Sequence, residues 1–267
     1  MRLAPADIPV VILCGGMGTR IREASEILPK PMIDIGGRPI LWHIMRLYSE
    51  HGFRRFVLPL GFKGWTIKEY FLRYRENLAD FTVLLGNESG PRYHNRLGLE
   101  DWEVTLVETG LHTATSGRIR AVADHLDAET FAVTYGDGLA DVDLAAELEF
   151  HAAHGGLGTV LGVLPTSRYG ELVVHDTTVT AFAEKPDTID TFVNGGFFLF
   201  QRSFLDELPD DDDMMLEQAP LSSLAHRGEL FVYRHSGFWM GMDTFREYTA
   251  LNQMWEAGTA PWRTWSE

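Results

Sequence analysis

The stretch VVILCGGMGTR, residues 10–20, decides how this chain of 267 residues folds. Its first half, Val10 to Cys14, is a continuous apolar run rich in β-branched residues, which is typical of a strand buried on both faces of a parallel sheet. Its second half, Gly15 to Arg20, places three glycines in four positions directly after that strand. Ligands of open α/β sheets bind beyond the carboxyl ends of the strands. The stretch therefore predicts a strand that leads into a ligand-binding loop.

Strand and helix patterns alternate along the rest of the chain. Strand patterns follow at residues 55–60, 104–107, 131–135 and 159–164, with helical patterns at 40–52, 63–74, 117–126 and 144–153. Beyond residue 164 come short strand patterns at 171–175, 179–183, 197–201 and 230–233, and helical patterns at 203–208, 220–227 and 244–255. We therefore expect a single α/β domain spanning residues 1–267. It should have a Rossmann-like, mostly parallel twisted sheet, helices on both faces, and small additional β elements in the C-terminal half.

The composition limits the partners of this protein. A formal charge of −15 disfavours nucleic acid and anionic membrane surfaces as partners, so any bound phosphate needs a local cluster of donors. One cysteine, Cys14, cannot form an intramolecular disulfide. Because the sequence also shows no signal segment and no membrane-spanning run, we expect a protein of the reducing cytoplasm.

The glycine loop has the features of a phosphate-binding loop. Its glycines let backbone N–H groups turn toward an anion, Thr19 adds a hydroxyl, and Arg20 adds a planar fork of donors. Lys30 follows between two prolines that stiffen its backbone. These groups suit a triphosphate, although a glycine turn without a ligand remains the simpler alternative. A dinucleotide fingerprint fails because position 21 is Ile21, and a Walker A loop fails because Gly-Lys-Ser/Thr is absent.

Two aspartates are candidate metal ligands: one lies between two glycines, and the other lies just before a predicted helix. Asp137 lies in Tyr135-Gly-Asp-Gly138, and Asp243 lies in Met242-Asp-Thr244. If they meet in the fold, they form a pair suited to holding a divalent cation against a polyphosphate. The alternative for Asp137 is a tight turn that tolerates Asp.

Three further motifs offer polar groups. Lys185 in Glu184-Lys-Pro186 is a candidate for a second phosphate, Asn194 in Asn194-Gly-Gly196 for a sugar hydroxyl, and Arg118, at a predicted helix start, for a phosphate. The alternatives are an exposed hairpin lysine, a bulge at a strand start and a surface helix start.

Other conspicuous features have simpler explanations. The four acids Asp210–Asp213 are predicted to form a solvated loop rather than a metal site. Asp141-Val-Asp143 has the Asp-x-Asp form of metal-dependent glycosyltransferases, but Asp143 is placed to begin the next helix. The histidines have no metal-ligand spacing.

Taken together, six motifs stand in a fixed order along the chain: Gly15-Gly-Met-Gly-Thr-Arg20, Pro29-Lys-Pro31, Gly136-Asp-Gly138, Glu184-Lys-Pro186, Asn194-Gly-Gly196 and Met242-Asp-Thr244. Because the motifs occur in this order, the chain resembles the sugar-1-phosphate nucleotidylyltransferases. The resemblance extends from about residue 10 to residue 265. Stretches between the motifs, such as Pro39–Met45, favour the cytidylyltransferase branch of that family.

The resemblance implies substrates, a metal and roles for residues. The substrates would be CTP and a sugar 1-phosphate, glucose 1-phosphate foremost, with Mg2+ as cofactor and a homo-oligomer as the assembly. Residues 1–164 would form the nucleotide-binding half and residues 165–267 the sugar-phosphate-binding half. The nucleotide would be bound by Leu13, Gly15, Gly16, Gly18, Thr19, Arg20, Lys30, Arg118 and Gly136, the sugar phosphate by Glu184, Lys185, Asn194 and Gly195, and the metal by Asp137 and Asp243. Catalysis would depend on Arg20, Lys30, Asp137 and Lys185.

Two departures from the family pattern leave alternatives open. Leu28 stands where close relatives often have Lys, and Glu171 replaces a smaller residue near the expected sugar pocket. A thymidylyl- or uridylyltransferase, or a cytidylyltransferase for another phosphorylated acceptor, is the nearest alternative. A glycosyltransferase or a non-catalytic nucleotide-sensing subunit is more remote, since Arg20, Lys30 and Asp137 are all present.

Overall fold

One large mixed sheet organises the molecule. The computed structural model describes residues 4–16, 28–86, 90–94, 100–164, 171–175, 178–183 and 192–265, and for the two segments between 165 and 191 it describes the backbone alone. The strands, in chain order, are β1 Pro9–Leu13, β2 Asp34–Ile35, β3 Arg38–Pro39, β4 Arg55–Leu60, β5 Phe81–Thr82, β6 Arg92–Tyr93, β7 Glu103–Glu108, β8 Thr130–Tyr135, β9 Gly138–Ala140, β10 Gly158–Val163, β11 Glu171–His175, β12 Thr178–Ala183, β13 Val193–Asn194, β14 Phe198–Gln201, β15 Leu230–His235 and β16 Trp239–Gly241.

The helices lie between these strands. They are α1 Ile40–Glu50, α2 Gly64–Leu72, α3 Tyr74–Leu78, α4 Thr115–Ala121, α5 Leu144–His154, α6 Ala219–His226 and α7 Phe245–Glu256. Short 3-10 turns occur at Pro5–Asp7, Lys30–Met32, Ala123–His125 and Arg202–Glu207. None of the helices in the described ranges is long and apolar enough to cross a membrane.

The sheet has a parallel centre and a mixed flank. Strands β7, β4, β1 and β8 run parallel in that order. Strand β14 then pairs antiparallel with both β8 and β10, and β15 pairs parallel with β10. The predicted α/β fold with a mostly parallel sheet is confirmed, and the antiparallel β14 is a feature that the sequence patterns did not reveal.

Strand β1 is buried on both faces, as its apolar run predicted. Val10 and Ile12 belong to one hydrophobic cluster together with α1. Val11 and Leu13 belong to a second cluster, which contains side chains of α4 and α6. Helices therefore cover both faces of the sheet, because alternate side chains of a strand point to opposite faces.

The minor strands form four two-stranded ribbons: β2–β3, β5–β6, β9–β16 and β11–β12. The small β elements predicted for the C-terminal half are present, and two further ribbons of the described residues lie within the first hundred positions. Ribbon β9–β16 pairs Gly138 with Gly241 and so joins two segments that are distant in sequence.

Some helix boundaries differ from the prediction. The helix expected over residues 63–74 ends at Leu72, because Arg73 leaves helical geometry with φ −104° and ψ 18°. The helix expected over 117–126 begins at Thr115 and ends at Ala121, and a 3-10 turn follows it. A 3-10 helix, Arg202–Glu207, takes the place of the helix expected near residues 203–208.

Trp262 closes the core on the α1 side. Its side chain is fully buried, and its indole N–H donates to Nδ1 of His43 at 3.4 Å. Nε2 of His43 lies 2.8 Å from the carbonyl oxygen of Ile35 and therefore carries the proton. Burial lowers the pKa of His43 to about 4, so the imidazole is neutral and serves the core rather than a metal.

A second buried titratable group lies on helix α5. Glu147 is 1% exposed, and within the described part of the chain its Oε1 has no hydrogen-bond partner. Burial raises the pKa of this carboxyl well above its ordinary value of 4.5, so the folded protein holds it in the neutral form. The unfolded chain releases that proton once the pH exceeds 4.5. Folding is therefore penalised progressively as the pH rises toward the folded pKa.

We expect Glu147→Gln to remove this penalty while keeping the size of the side chain. The gain in unfolding free energy over the parent should grow by about 1.4 kcal/mol per pH unit above the unfolded pKa, until the folded pKa is reached. Denaturant unfolding between pH 5 and pH 8.5 measures it, with Glu149→Gln on an exposed position of the same helix as the control. A difference that stays constant with pH would show that Glu147 is ionised in the folded protein.

Candidate active site

A cavity of about 430 Å3 opens beyond the carboxyl ends of β1 and β8. It is lined by Leu13, Cys14, Gly15, Gly16, Lys30, Pro31, Thr113, Ala114, Thr115, Arg118, Tyr135, Gly136, Asp137, Met215, Glu217 and Asp243. All the predicted nucleotide and metal residues that the structure describes are among them. This position agrees with the general rule for ligand sites in open α/β sheets.

The charged centre of the cavity is one ammonium group between two carboxylates. Nζ of Lys30 lies 2.5 Å from Oδ2 of Asp137 and 2.9 Å from Oδ1 of Asp243. The Lys30 side chain is 11% exposed, whereas those of Asp137 and Asp243 are 31% and 43% exposed. The structure thus brings together three residues that the sequence had selected from three separate motifs.

Ribbon β9–β16 brings the two carboxylates together. Asp137 immediately precedes β9, and Asp243 follows β16 by two residues. The backbone N–H of Met242 donates to the carbonyl oxygen of Asp137 at 2.8 Å, which continues the ribbon to the position of the carboxylates. The pair is therefore held by backbone pairing and does not depend on a ligand.

A capping box fixes the backbone at Asp243. Thr244 caps helix α7, and its hydroxyl accepts the N–H of Glu247 at 3.3 Å. Oε2 of Glu247 accepts the N–H groups of both Asp243 and Thr244 at 2.8 Å. The Thr-x-x-Glu spacing of this motif is readable in the sequence, so the fixed position of Asp243 was open to prediction.

Lys30 lies between Pro29 and Pro31 and is the first residue of the 3-10 turn Lys30–Met32. Burial acts to lower the pKa of Lys30, but the charges and hydrogen bonds of Asp137 and Asp243 outweigh it and raise that pKa above its ordinary value of 10.5. Lys30 is therefore a fully charged ammonium at neutral pH, as a phosphate contact would require.

Arg118 lies behind the glycine loop and is committed to acceptors of the protein. Its guanidinium donates to the carbonyl oxygens of Gly15 at 3.1 Å, Leu60 at 3.0 Å and Leu111 at 3.4 Å, and to the hydroxyl of Thr109 at 2.6 Å. The residue is 4% exposed and stands within helix α4, not at the helix start that the sequence suggested. It therefore fixes the start of the glycine loop and contributes positive charge to the lining of the cavity.

Two glycines allow these close approaches. A Cβ on Gly15 would lie 2.1 Å from Cζ of Arg118, so a larger residue would force the guanidinium away from its hydrogen-bond partners. A Cβ on Gly136 would lie 2.8 Å from the carbonyl oxygen of Leu13, where the ends of β8 and β1 meet. Packing within the protein therefore accounts for these two glycines, apart from any contact with an anion.

The opposite wall of the cavity contains residues that the sequence analysis missed. The hydroxyl of Tyr135 donates to Oε1 of Glu217, whose other oxygen lies 3.4 Å from the Thr115 hydroxyl. Burial and the contact with Glu217 raise the pKa of Tyr135, so its hydroxyl stays protonated. Met215 lines the same wall. No motif marks Glu217 or Met215, because a segment that closes over a site from a distant part of the chain has no fixed pattern.

Asn194 and Gly195 lie next to the cavity and do not line it. Nδ2 of Asn194 donates to the Tyr135 hydroxyl at 3.1 Å, and Oδ1 accepts the N–H of Gly196 at 2.8 Å. The indole N–H of Trp239 donates to the carbonyl oxygen of Gly195 at 2.8 Å. These bonds tie the predicted sugar-binding segment to the tyrosine of the wall and to ribbon β9–β16.

Five predicted site residues lie outside the described residues: Gly18, Thr19, Arg20, Glu184 and Lys185. Their predicted roles remain predictions.

The acidic residues that were not predicted to bind a metal, Asp143 and Asp210–Asp213, have structural roles. Oδ1 of Asp143 caps helix α5 by accepting the N–H groups of Ala145 and Ala146, which confirms the predicted helix start. The side chains of Asp210–Asp213 are exposed, as expected of a solvated loop. Two of them, Asp210 and Asp212, also form ion pairs with Arg120 at 3.0 and 2.6 Å and so attach this loop to helix α4.

The charge balance of the cavity indicates which ligands it can take. The described lining carries two cations, Lys30 and Arg118, against three carboxylates, Asp137, Asp243 and Glu217. A polyphosphate would therefore need additional positive charge. The pair Asp137 and Asp243 offers hard oxygen donors at a point where a cationic group is already held, so this pair fits a divalent metal ion.

Known proteins resemble this chain in sequence and in fold. A family model described as nucleotidyl transferase matches residues 9–257. The chain is 46% identical over 256 residues to the glucose-1-phosphate cytidylyltransferase of Salmonella typhimurium, covering 96% of this chain and 98% of that protein.

Two solved structures show the same fold at low identity. HddC from Yersinia pseudotuberculosis gives a TM-score of 0.66 at 22% identity and covers 93% of this chain and 99% of its own. The inositol-1-phosphate CTP transferase of T. maritima gives a TM-score of 0.64 at 15% identity, with coverages of 96% and 98%. The family resemblance inferred from the six motifs is confirmed, and the chain belongs to the nucleotidyl transferase family.

Proposed function

We propose that this protein transfers the cytidylyl group of CTP to a sugar 1-phosphate, most of all glucose 1-phosphate, and releases pyrophosphate. The observation that carries the proposal is the Lys30 ammonium held between Asp137 and Asp243 in a cavity lined by Gly15 and Gly16, the first two residues of the glycine loop. Such a site serves a reaction between phosphates. The identity of the substrates is supported by the near-full-length similarity to the Salmonella enzyme.

The reaction is an in-line displacement. A non-bridging oxygen of the sugar phosphate attacks the α-phosphorus of CTP, a new P–O bond forms, and the bond to the β-phosphate oxygen breaks to release pyrophosphate. A phosphate monoester has a second pKa near ~6, so it is already a nucleophile at neutral pH and requires no general base. Catalysis then depends on positioning two anions and neutralising their charge.

The metal in this proposal is Mg2+, held by Asp137 and Asp243. When bound, it supplies positive charge and oriented coordination to the reacting phosphates. Of this chain's own groups, Lys30 contributes a cation beside the two carboxylates, and Arg118 fixes the carbonyl of Gly15 at the start of the loop. Arg20 completes the triphosphate contacts, and Lys185 holds the sugar phosphate.

The two halves of the chain divide the substrates in this proposal. Residues 1–164 provide the glycine loop, Lys30 and Asp137 for the nucleotide, and residues 165–267 provide Glu184, Lys185 and Asn194 for the sugar phosphate. The bond between Asn194 and Tyr135 is a described link between the two halves at the site.

The same proposal includes a homo-oligomer. Strand β7 is the last strand of the sheet, and within the described ranges no other strand pairs with its outer edge. A groove of about 350 Å3 beside it is lined largely by apolar side chains, including Leu72, which is 81% exposed. Such a surface is typical of protein–protein contacts and supports self-association.

The substrate assignment is tested by pyrophosphate release across a matrix of four nucleotides and several sugar phosphates. CTP with glucose 1-phosphate should give the highest kcat/KM of the matrix. Faster release with UTP or dTTP than with CTP would assign the protein to a different branch of the family.

Asp137→Asn and Asp243→Asn should each lower kcat by on the order of 10²-fold or more, because each removes a charged oxygen ligand beside the reacting phosphates. Steady-state rates at saturating Mg2+ measure the effect. Asp127→Asn, which breaks an exposed ion pair with Arg55, is the matched control and should keep full activity. Near-normal turnover in either cavity variant, with an unchanged circular dichroism spectrum, would contradict the two-carboxylate metal site.

Lys185→Ala and Lys30→Ala should separate the two phosphate sites. Loss of one charge-assisted contact costs about 1.5–3 kcal/mol, so Lys185→Ala should raise the KM for the sugar phosphate roughly 10- to 150-fold. Calorimetric CTP binding should change little in this variant. Lys30→Ala should weaken CTP instead, because it leaves two carboxylates facing the triphosphate without their cation.

The control for both variants is Lys68→Ala, which removes a surface lysine paired with Glu108. If Lys185→Ala abolishes CTP binding while Lys30→Ala leaves it intact, the assignment of the two lysines is wrong.

A further inference from the structure

The Lys30 ammonium occupies the same donor set that a divalent cation would use. It donates hydrogen bonds to Oδ2 of Asp137 at 2.5 Å and to Oδ1 of Asp243 at 2.9 Å. These are the two oxygens best placed to coordinate a metal, because they converge on one point of the cavity. A metal ion and the ammonium would stand in contact with like charge if both bound there, so their binding is mutually exclusive.

The three groups differ in their freedom to move. The backbone at the two carboxylates is held by ribbon β9–β16, by the bond from the Met242 N–H to the Asp137 carbonyl and by the capping box at Thr244, and each carboxyl group lies on a short side chain. Lys30 reaches them through a flexible four-carbon side chain that carries a compact charge. Of the three, the lysine side chain can therefore leave while the carboxylates stay in place.

We propose that Lys30 is an exchangeable counterion, which holds the metal position until the polyphosphate of the nucleotide attracts its ammonium and frees both carboxylates for the metal. This inference rests on the proposed function, since it takes the incoming anion to be a nucleoside triphosphate. The exchange keeps the carboxylates compensated at each stage, because one cation replaces another. It also moves a positive charge onto the phosphates as the metal arrives.

The exchange couples the two ligands thermodynamically. Metal alone must displace Lys30 from both carboxylates, and the ammonium then loses these two contacts without gaining a phosphate, so the metal binds weakly. In the presence of nucleotide the displaced ammonium gains phosphate contacts, and the metal binds more tightly. By linkage, the metal strengthens nucleotide binding by the same factor. The protein is thereby protected from holding a metal where it has no phosphate to act on.

The decisive variant is Lys30→Met, which keeps an unbranched side chain of similar length and removes the ammonium. Binding of Mn2+ alone is measured by the electron paramagnetic resonance signal of the free ion. We expect the variant to bind Mn2+ about 10- to 100-fold more tightly than the parent, which is the scale of losing a competing charge-assisted contact. Lys68→Met on the surface is the matched control and should bind Mn2+ as the parent does.

A second measurement gives the coupling. CTP should increase the Mn2+ affinity of the parent by a larger factor than that of Lys30→Met, because the variant has no ammonium left to displace. Equal or weaker Mn2+ binding by the variant without nucleotide would overturn the proposal. The comparison of Mn2+ binding without nucleotide needs no substrate, so it remains decisive even if the protein uses a nucleotide other than CTP. It therefore distinguishes failure of the substrate assignment from failure of the exchange.

A third measurement uses the unaltered protein and does not depend on the folding of any variant. Acetic anhydride labels free lysine amines, and mass spectrometry reads the extent of labelling at Lys30 and at Lys68. Saturating Mg2+ without nucleotide should increase labelling of Lys30 several-fold and leave Lys68 unchanged, since the metal expels the ammonium from between the carboxylates. Unchanged labelling of Lys30 would mean that the metal binds elsewhere, and the exchange would be refuted.

Discussion

Burial of strand β1 on both faces is the constraint on which the site depends. A strand without contact to water must pair its backbone on both sides, and here β4 and β8 provide those pairs. The strand can therefore meet solvent only at its end, where the glycine loop begins. The described groups that line the cavity, including the carboxylate that follows β8, lie around that end of the sheet. The two hydrophobic clusters that enclose β1 thus determine where the cavity opens.

An acidic protein that handles anions has to place its few cations carefully, and the two basic residues described in the cavity do so in opposite ways. Arg118 donates to neutral carbonyl and hydroxyl oxygens, so these contacts do not cancel the charge that it brings to the cavity lining. Lys30 is compensated by two carboxylates, so its charge becomes available only when it moves. A fixed field and a movable charge therefore lie side by side. The planar guanidinium suits the first task, and the flexible ammonium suits the second.

Local patterns predicted most of the fold, and pairings between distant segments were beyond them. Strand β4 and the strand at Glu171–His175 have the predicted bounds, because apolar β-branched runs are a direct record of burial. The meeting of Asp137 with Asp243 was only a possibility, since it depends on ribbon β9–β16, whose strands are three residues long and carry no alternation. The Thr-x-x-Glu spacing of the capping box at Thr244 is visible in the sequence and would have predicted the start of helix α7 beside Asp243. Glu217 reaches the cavity by tertiary packing alone, which no local spacing records.

The buried cluster behind helix α1 brings together side chains from Ile8 to Trp262. These two residues stand near opposite ends of the described chain and yet share one core with β1. Because a ribosome synthesises the chain from its N-terminus, strand β1 is made long before Trp262, whose indole completes the packing around His43. Until then the apolar face of that helix is incompletely covered. Folding of this domain is therefore expected to finish late in synthesis, once the last part of the core has been made.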